Sequence, residues 1–156
     1  MEILIVDDEE VIRDSLSSLL KQKGYVCHTA SLAEEAMEVI EDLPKISIVI
    51  SDIQMPGMTG IELLKHITSK YASIKVLMLT GYADLESAID AVNYGADAFF
   101  RKPLDINDLL STIEDIVMEK EKSAIREVPN EVWVEEYKKL HKAYEALTVE
   151  ISHLLK

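Results

Sequence analysis

The sequence predicts an α/β fold in which helices cover both faces of a parallel five-stranded sheet. Five short apolar runs, each bounded by turn residues, read as buried strands. A segment with apolar residues at helical spacing follows each run, and the connections between them are short. Strands and helices that alternate with short connections favour a doubly wound parallel sheet.

The first βα unit begins with the strand Glu2–Val6, which ends at the carboxylates of Asp7 and Asp8. The helix that follows is indicated by apolar residues at helical spacing, namely Val11, Ile12, Leu16, Leu19 and Leu20. Gly24 is placed to end this helix. A second short strand is predicted over Tyr25–Thr29.

The second helix is predicted to open with a capping box at Ser31–Glu34 and to run to about Asp42. The third strand, Ile46–Ser51, ends at the carboxylate of Asp52. The next eight residues, 53–60, are rich in turn formers and do not continue a strand. Asp52 is therefore expected at the carboxyl end of a central strand, where open α/β sheets bind their ligands.

The third helix spans Gly60 to about Lys70, and the fourth strand is Ile74–Thr80. A loop over 81–83 leads to a helix that Asp84 can cap and that runs through Tyr94. The fifth strand comes next, at Ala98–Arg101.

Lys102-Pro103 breaks the fifth strand, and Asp105 is placed to cap the last helix of the sheet domain. That helix carries an apolar face made by Leu109, Leu110, Ile113, Ile116 and Val117. Five βα units are thus complete by about residue 121.

Chemically useful side chains collect at the ends of four of these strands. The flavodoxin-like strand order 2-1-3-4-5 is one common solution for such a pattern. In that order Asp7, Asp8 and Asp52 meet in one cleft, and Thr80 and Lys102 point into it. Three carboxylates repel one another, so a hard cation such as Mg²⁺ is expected to compensate them. A carboxylate nucleophile, a metal ion, an ammonium and a hydroxyl suit phosphoryl transfer to Asp52.

With these residues in place, the chain resembles the receiver domain of two-component response regulators. The resemblance covers about residues 1–121. It is carried by Asp7-Asp8, by Asp52 followed by Met55-Pro56-Gly57-Met58-Thr59-Gly60, by Thr80-Gly81 and by Lys102-Pro103.

The resemblance implies a role for each residue at the site. Asp52 would accept a phosphoryl group from a phosphohistidine of a partner sensor histidine kinase. Asp7, Asp8, Asp52 and the backbone carbonyl of Gln54 would hold Mg²⁺, with Asp8 a more direct ligand than Asp7. Lys102 would contact the phosphoryl oxygens. The chain would be a signalling receiver and not an enzyme that turns over a separate substrate.

The resemblance also implies a switch. Thr80 would hydrogen-bond the new phosphate, and Phe99 would move from exposed to buried. This movement would remodel the face made by helix 4, strand 5 and helix 5. The Lys102-Pro103 bond would be cis. Gln54 and Tyr82 would flank the approach of water, and a bulky Tyr82 predicts slow loss of the phosphoryl group.

The amino-acid composition limits the kinds of partner and the cellular compartment that we expect for this chain. The net charge is −13, with 29 acidic and 16 basic residues, and no basic patch favours nucleic-acid binding. A single cysteine, Cys27, excludes an internal disulfide and fits a reducing compartment. No apolar run approaches the ~20 residues of a membrane span, and we expect a cytoplasmic protein.

Residues 122–156 predict a helical tail. Val128-Pro129-Asn130 interrupts the last helix, since the residue before a proline avoids helical geometry. After it comes a heptad seam, made by Trp133, Tyr137, Leu140, Tyr144, Leu147, Ile151 and Leu154. The seam favours a coiled coil and a homodimer, formed through this tail, through the helix 4–strand 5–helix 5 face, or through both. The alternative is an amphipathic helix folded back on the receiver.

Two other functional readings stay open. The chain can be the N-terminal receiver fragment of a longer regulator or hybrid kinase whose output domain is absent. The remote alternative is a phosphohydrolase that works through an aspartyl phosphate. Such enzymes place a second aspartate two residues after the nucleophile as general acid, and Gln54 at that position cannot transfer a proton.

Overall fold

The computed structural model describes residues 1–81, 85–127, 135, 138–140 and 142. Two compact units make up the chain, Met1–Glu114 and Asp115–Lys156. The first unit contains the whole β-sheet. The second contains the remainder of the last helix that begins in the first unit.

Strands and helices alternate along the chain, as predicted. They are β1 (Glu2–Val6), α1 (Glu10–Gln22), β2 (Val26–Ala30), α2 (Ala33–Asp42), β3 (Ile46–Asp52), α3 (Gly60–Lys70), β4 (Lys75–Thr80), α4 (Leu85–Asn93), β5 (Ala98–Arg101) and α5 (Ile106–Glu127). The sheet order is β2-β1-β3-β4-β5, and every pairing is parallel. The predicted order 2-1-3-4-5 is confirmed.

The core lies on both faces of the central strands. In β1, all four residues from Ile3 to Val6 are fully buried, and Ile48–Ile50 of β3 are equally buried. The sequence of a strand that is covered on both faces is a continuous apolar run. The sequence pattern therefore predicts β1 and β3 plainly. The edge strand β2 differs, because Val26 is 52% exposed.

The start of α2 departs from the prediction. The helix begins at Ala33 and its N-cap is Leu32, whose side chain makes no capping hydrogen bond. Ser31 donates instead to Oε2 of Glu35, from its backbone N–H at 2.7 Å and from its hydroxyl at 2.9 Å. These two hydrogen bonds lower the pKa of Glu35. Glu34, which the predicted capping box would pair with Ser31, makes a contact elsewhere.

Side chains cap the starts of α5 and α3, whereas the N-cap of α1, Glu9, makes no side-chain capping hydrogen bond. Asp105 accepts from the backbone N–H of Asn107 at 2.9 Å, so the predicted cap of α5 is confirmed. A complete capping box, which the sequence analysis did not predict, opens α3: Thr59 and Glu62 each accept a hydrogen bond from the other's backbone N–H.

Several predictions fall on residues that the structure does not describe. They are the cap at Asp84, the bulky Tyr82 and most of the C-terminal seam. Leu140 is the one seam residue among those described, and it is 73% exposed. Among the described helices, none is both long enough and apolar enough to cross a membrane.

Candidate functional site

The site lies at the carboxyl edge of the sheet, where four strands end side by side. Asp52 is the last residue of β3, and Thr80 is the last residue of β4. Asp7 directly follows β1, and Lys102 directly follows β5. The parallel register brings these ends to one level, since Val6 pairs with Ser51 and Asp52 pairs with Leu79.

Three carboxylates meet at this edge. Asp7, Asp8 and Asp52 each offer an oxygen, and these oxygens lie within 4.8 Å of one another. Asp7 is fully buried, Asp52 is 5% exposed, and Asp8 is exposed. Ionised carboxylates this close repel strongly where water is scarce, so the cluster needs positive charge beside it.

Lys102 supplies part of that charge. Its Nζ lies 3.0 Å from Oδ2 of Asp7 and 3.1 Å from Oδ2 of Asp52, and Glu9 Oε1 is farther away at 3.8 Å. Burial alone would lower the pKa of Lys102, but the hydrogen bonds to Asp7 and Asp52 outweigh it and the pKa is raised. Lys102 is therefore an ammonium at neutral pH, shared between two buried carboxylates.

Opposing effects determine the pKa of Asp52. Burial raises its pKa, the hydrogen bond and charge of Lys102 act in the opposite direction, and the nearby Asp7 raises it further. The net pKa is above the ordinary value of an aspartate. An ionised Asp52 is thus less well compensated than a solvated carboxylate, and additional positive charge at the cluster would stabilise it.

Asp7 is held by its backbone as well as by its side chain. Its Oδ1 accepts a hydrogen bond from the backbone N–H of Glu9 at 2.9 Å. The guanidinium of Arg13 donates to the carbonyl of Asp7 at 2.6 Å. The sequence analysis missed Arg13, since a single arginine in an amphipathic helix carries no signal of such a contact.

The loop after Asp52 is tied at both ends. The N–H of Ile53 donates to the carbonyl of Leu79 at 2.9 Å, and the N–H of Gly60 donates to the carbonyl of Ile53 at 2.8 Å. The N–H of Gln54 points at Oδ1 of Asp52 over 3.4 Å. The carbonyl of Gln54 therefore belongs to a backbone segment anchored beside the phosphoacceptor candidate.

Gly60 is a second residue whose importance the sequence analysis missed. A Cβ at this position would lie 2.0 Å from the carbonyl oxygen of Asp52 and 2.8 Å from Cα of Ile53. The first residue of α3 therefore packs directly on the backbone of Asp52. The sequence predicts Gly60 as a turn residue and as the first residue of the third helix, but it gives no indication of this close packing.

Thr80 and Phe99 lie on the β4–β5 side of the site. Thr80 is 2% exposed, and its carbonyl accepts a hydrogen bond from the N–H of Lys102 at 2.7 Å. Phe99 is half-buried and packs against the core cluster on one face of the sheet. The Lys102-Pro103 peptide is cis. Thr80 and Phe99 thus lie on the two strands that end beside Lys102.

Replacing Lys102 by methionine is expected to lower the free energy of unfolding in metal-free buffer by about 1–3 kcal/mol, since two buried carboxylates lose their hydrogen-bonded cation. Denaturant unfolding in EDTA measures this. Lys75→Met is the matched control, because Lys75 makes a more exposed ion pair with Asp97 at 3.4 Å. We expect the control to lose less than about 1 kcal/mol. Equal losses would contradict the electrostatic account.

Comparison with known proteins points to one family. A family model described as the response regulator receiver domain matches residues 3–114. A CheY-like response regulator receiver domain protein from Methanospirillum hungatei is 38% identical and superposes with a TM-score of 0.74 over 78% of this chain and 97% of its own. A receiver domain protein from Clostridium thermocellum is 33% identical, with a TM-score of 0.73 over 77% and 96%.

Curated relatives extend beyond the matched region. The transcriptional regulatory protein FixJ of Bradyrhizobium diazoefficiens is 35% identical over 124 residues, which are 78% of this chain and 59% of FixJ. The regulatory protein AtoC of Escherichia coli is 36% identical over 107 residues, 69% of this chain and 23% of AtoC. The chain thus spans 23% of the length of AtoC and 59% of the length of FixJ.

Proposed function

This chain belongs to the response regulator receiver domain family, and from that membership we propose that it is a phosphorylation-switched signalling module whose phosphoacceptor is Asp52. One observation carries the proposal. Asp52 ends a central strand with its carboxylate 3.1 Å from the ammonium of Lys102 and grouped with the carboxylates of Asp7 and Asp8. Receiver domains interact with sensor histidine kinases, and we propose such a kinase as the phosphodonor.

The proposed chemistry is a phosphoryl transfer between two side chains. A carboxylate oxygen of Asp52 bonds to the phosphorus of a phosphohistidine, the N–P bond breaks, and the imidazole leaves with the electron pair. An aspartyl phosphate remains on this chain. Lys102 already lies between Asp7 and Asp52, so its ammonium is placed to offset charge on the transferred oxygens.

The residues present fit a magnesium ion. Carboxylate oxygens of Asp7, Asp8 and Asp52 lie close enough to share one cation, and oxygen is the ligand that Mg²⁺ prefers. We propose that the backbone carbonyl of Gln54 joins them, and that Asp8 is a more direct ligand than Asp7. Bound Mg²⁺ would supply the positive charge that phosphoryl transfer requires. Burial and the nearby charge of Asp7 raise the pKa of Asp52, and a bound cation would oppose both effects.

The switch would begin at Thr80 and Phe99. A phosphoryl group on Asp52 offers new acceptor oxygens near the end of β4, and the hydroxyl of Thr80 is proposed to donate to one of them. Phe99 stands on β5 beside Met78 of β4 and is half-buried. A shift of Thr80 would change the space that Phe99 can occupy and so bias the surface around α4 and β5.

That surface is suited to protein contacts. Ile89 and Val92 of α4 are 50% and 71% exposed. We propose that phosphorylation controls homodimerisation or another protein contact, through the α4–β5–α5 face, through the C-terminal tail of residues 122–156, or through both. We place the receiver domain at residues 1–121. We propose that this domain does not bind nucleic acid.

Beryllofluoride, a mimic of the aspartyl phosphate, tests the proposal on the full chain. We expect one equivalent to bind in Mg²⁺ and none in EDTA, because the mimic needs both Asp52 and the metal. Calorimetry measures the binding, and sedimentation measures the accompanying change in mass. Binding that is equally tight in EDTA would contradict the metal assignment. No binding in Mg²⁺ would contradict the receiver function, and an unchanged mass would contradict dimerisation as the output.

A further inference from the structure

A carboxylate from α2 reaches the loop that follows Asp52. Oε1 of Glu34 accepts a hydrogen bond from the backbone N–H of Met58 at 3.1 Å, across 24 residues of sequence. Glu34 lies in the first turn of α2, where a capping contact with Ser31 was expected. Because Glu35 makes the contacts with Ser31 instead, the carboxylate of Glu34 is engaged with a different segment of the chain.

The backbone beside Met58 is shaped to receive this carboxylate. Gly57 has a φ of +77°, a conformation that side-chain-bearing residues rarely adopt. A Cβ at Gly57 would lie 3.0 Å from Oε1 of Glu34. Glu34 therefore abuts the turn closely, and the absence of a side chain at residue 57 serves both the backbone conformation and the approach of the carboxylate.

Glu34 holds the middle of a loop whose ends are already anchored. The N–H of Ile53 is bonded to Leu79, and the N–H of Gly60 is bonded to Ile53. Between these two ends lies Gln54, whose N–H faces Asp52 and whose carbonyl is a proposed metal ligand. A tie at Met58 restricts how far this short loop can shift, and so restricts the position of the Gln54 carbonyl.

We propose that Glu34 is a positioning residue for the metal site, which fixes the Gly57–Met58 turn and thereby the backbone of Gln54. The inference rests on the proposed function, since it concerns the same Mg²⁺ site. Glu34 does not touch the proposed ion. It is also exposed, so removing its side chain should disturb the loop far more than the fold.

The experiment compares Glu34→Ala, Glu34→Gln and the control Glu38→Ala in the full chain. Glu38 is an exposed residue one turn further along α2, so its replacement makes the same change of charge and helix composition. We expect Glu34→Ala to weaken Mg²⁺ binding, measured by calorimetry, about three- to tenfold, which corresponds to one lost supporting hydrogen bond. The glutamine amide oxygen can still accept from Met58, so Glu34→Gln should bind Mg²⁺ nearly as the natural chain does.

A second readout needs no metal. Amide hydrogen exchange of Met58 in EDTA, followed by NMR, should accelerate in Glu34→Ala and stay slow in Glu34→Gln and Glu38→Ala. If Glu34→Ala matches Glu38→Ala in both readouts while the natural chain binds Mg²⁺, the inference is wrong and the proposed function stands. Equal losses in the alanine and glutamine variants would overturn the hydrogen-bond role. Failure of the natural chain to bind Mg²⁺ would overturn the proposed function and this inference together.

Discussion

Asp52→Asn is expected to abolish phosphorylation of this chain by a phosphorylated sensor kinase or by a small phosphodonor. A carboxamide oxygen carries no negative charge and is a far weaker nucleophile than a carboxylate. The same substitution removes one of the grouped carboxylates, so Mg²⁺ binding should weaken as well. Intact-mass analysis after incubation with the donor measures the result. The natural chain should gain one phosphoryl group and the variant none.

The loss should not come from unfolding. Burial raises the pKa of Asp52, so the folded state holds a proton on this carboxyl more tightly than the unfolded state does. Above that pKa, ionised Asp52 lowers the free energy of unfolding. Asparagine carries no charge and so removes this destabilisation. In EDTA at neutral pH the variant should therefore unfold at the same denaturant concentration as the natural chain or at a higher one.

Asp42→Asn is the matched control, since Asp42 ends α2 at the opposite edge of the sheet and is exposed. It should be phosphorylated as the natural chain is. Labelling of Asp52→Asn at an undiminished rate would place the acceptor elsewhere and refute the assignment.

Gly60→Ala is expected to lower the free energy of unfolding by about 2–4 kcal/mol, at the upper end for an added methyl group in a packed site. The new Cβ would lie 2.0 Å from the carbonyl oxygen of Asp52, so backbone must move and no side chain can yield instead. Because the displaced backbone is that of Asp52 itself, Mg²⁺ binding should fall together with stability. Denaturant unfolding and calorimetry measure the two effects.

Gly81→Ala separates this effect from the general consequences of replacing a glycine. Among the residues that the structure describes, none beyond Gly81 and its chain neighbours has an atom within 4 Å of the place that a Cβ of residue 81 would take, and Gly81 does not have a positive φ. Its replacement should therefore change the free energy of unfolding by less than about 1 kcal/mol. If Gly60→Ala is as mild as Gly81→Ala, α3 does not pack on Asp52 as closely as described.

Most of the fold could be predicted from the sequence because the central strands are buried on both faces. Ile3–Val6 and Ile48–Ile50 are uninterrupted apolar runs for that reason, and turn residues mark their ends. The strand order came from the general behaviour of βα repeats, and the observed order agrees. Val11 shows where periodicity misleads: it fits the apolar pattern of α1, yet it is 79% exposed.

The grouping of Asp7, Asp8, Asp52 and Lys102 could also be predicted, because parallel strands bring their carboxyl ends to one edge. The contacts that support this group of side chains could not be predicted from the sequence. Arg13 donates to a backbone carbonyl, Glu34 accepts from a backbone N–H, and Gly60 matters because the backbone of Asp52 occupies the place of a side chain. Such contacts depend on how loops pack in three dimensions, and a polar side chain near a helix start gives no indication of which partner it will choose.

The shared ammonium of Lys102 has a consequence for how the chain is made. Lys102 pairs with Asp52 across 50 residues and with Asp7 across 95, so the cation is the last of the three groups to leave the ribosome. In a nascent chain that ends at β4, pairing of β1 with β3 would bring Asp7 and Asp52 together without this counter-charge. Repulsion between Asp7 and Asp52 would therefore oppose folding of this sheet edge until β5 and Lys102 emerge, which couples formation of the site to the synthesis of the fifth βα unit.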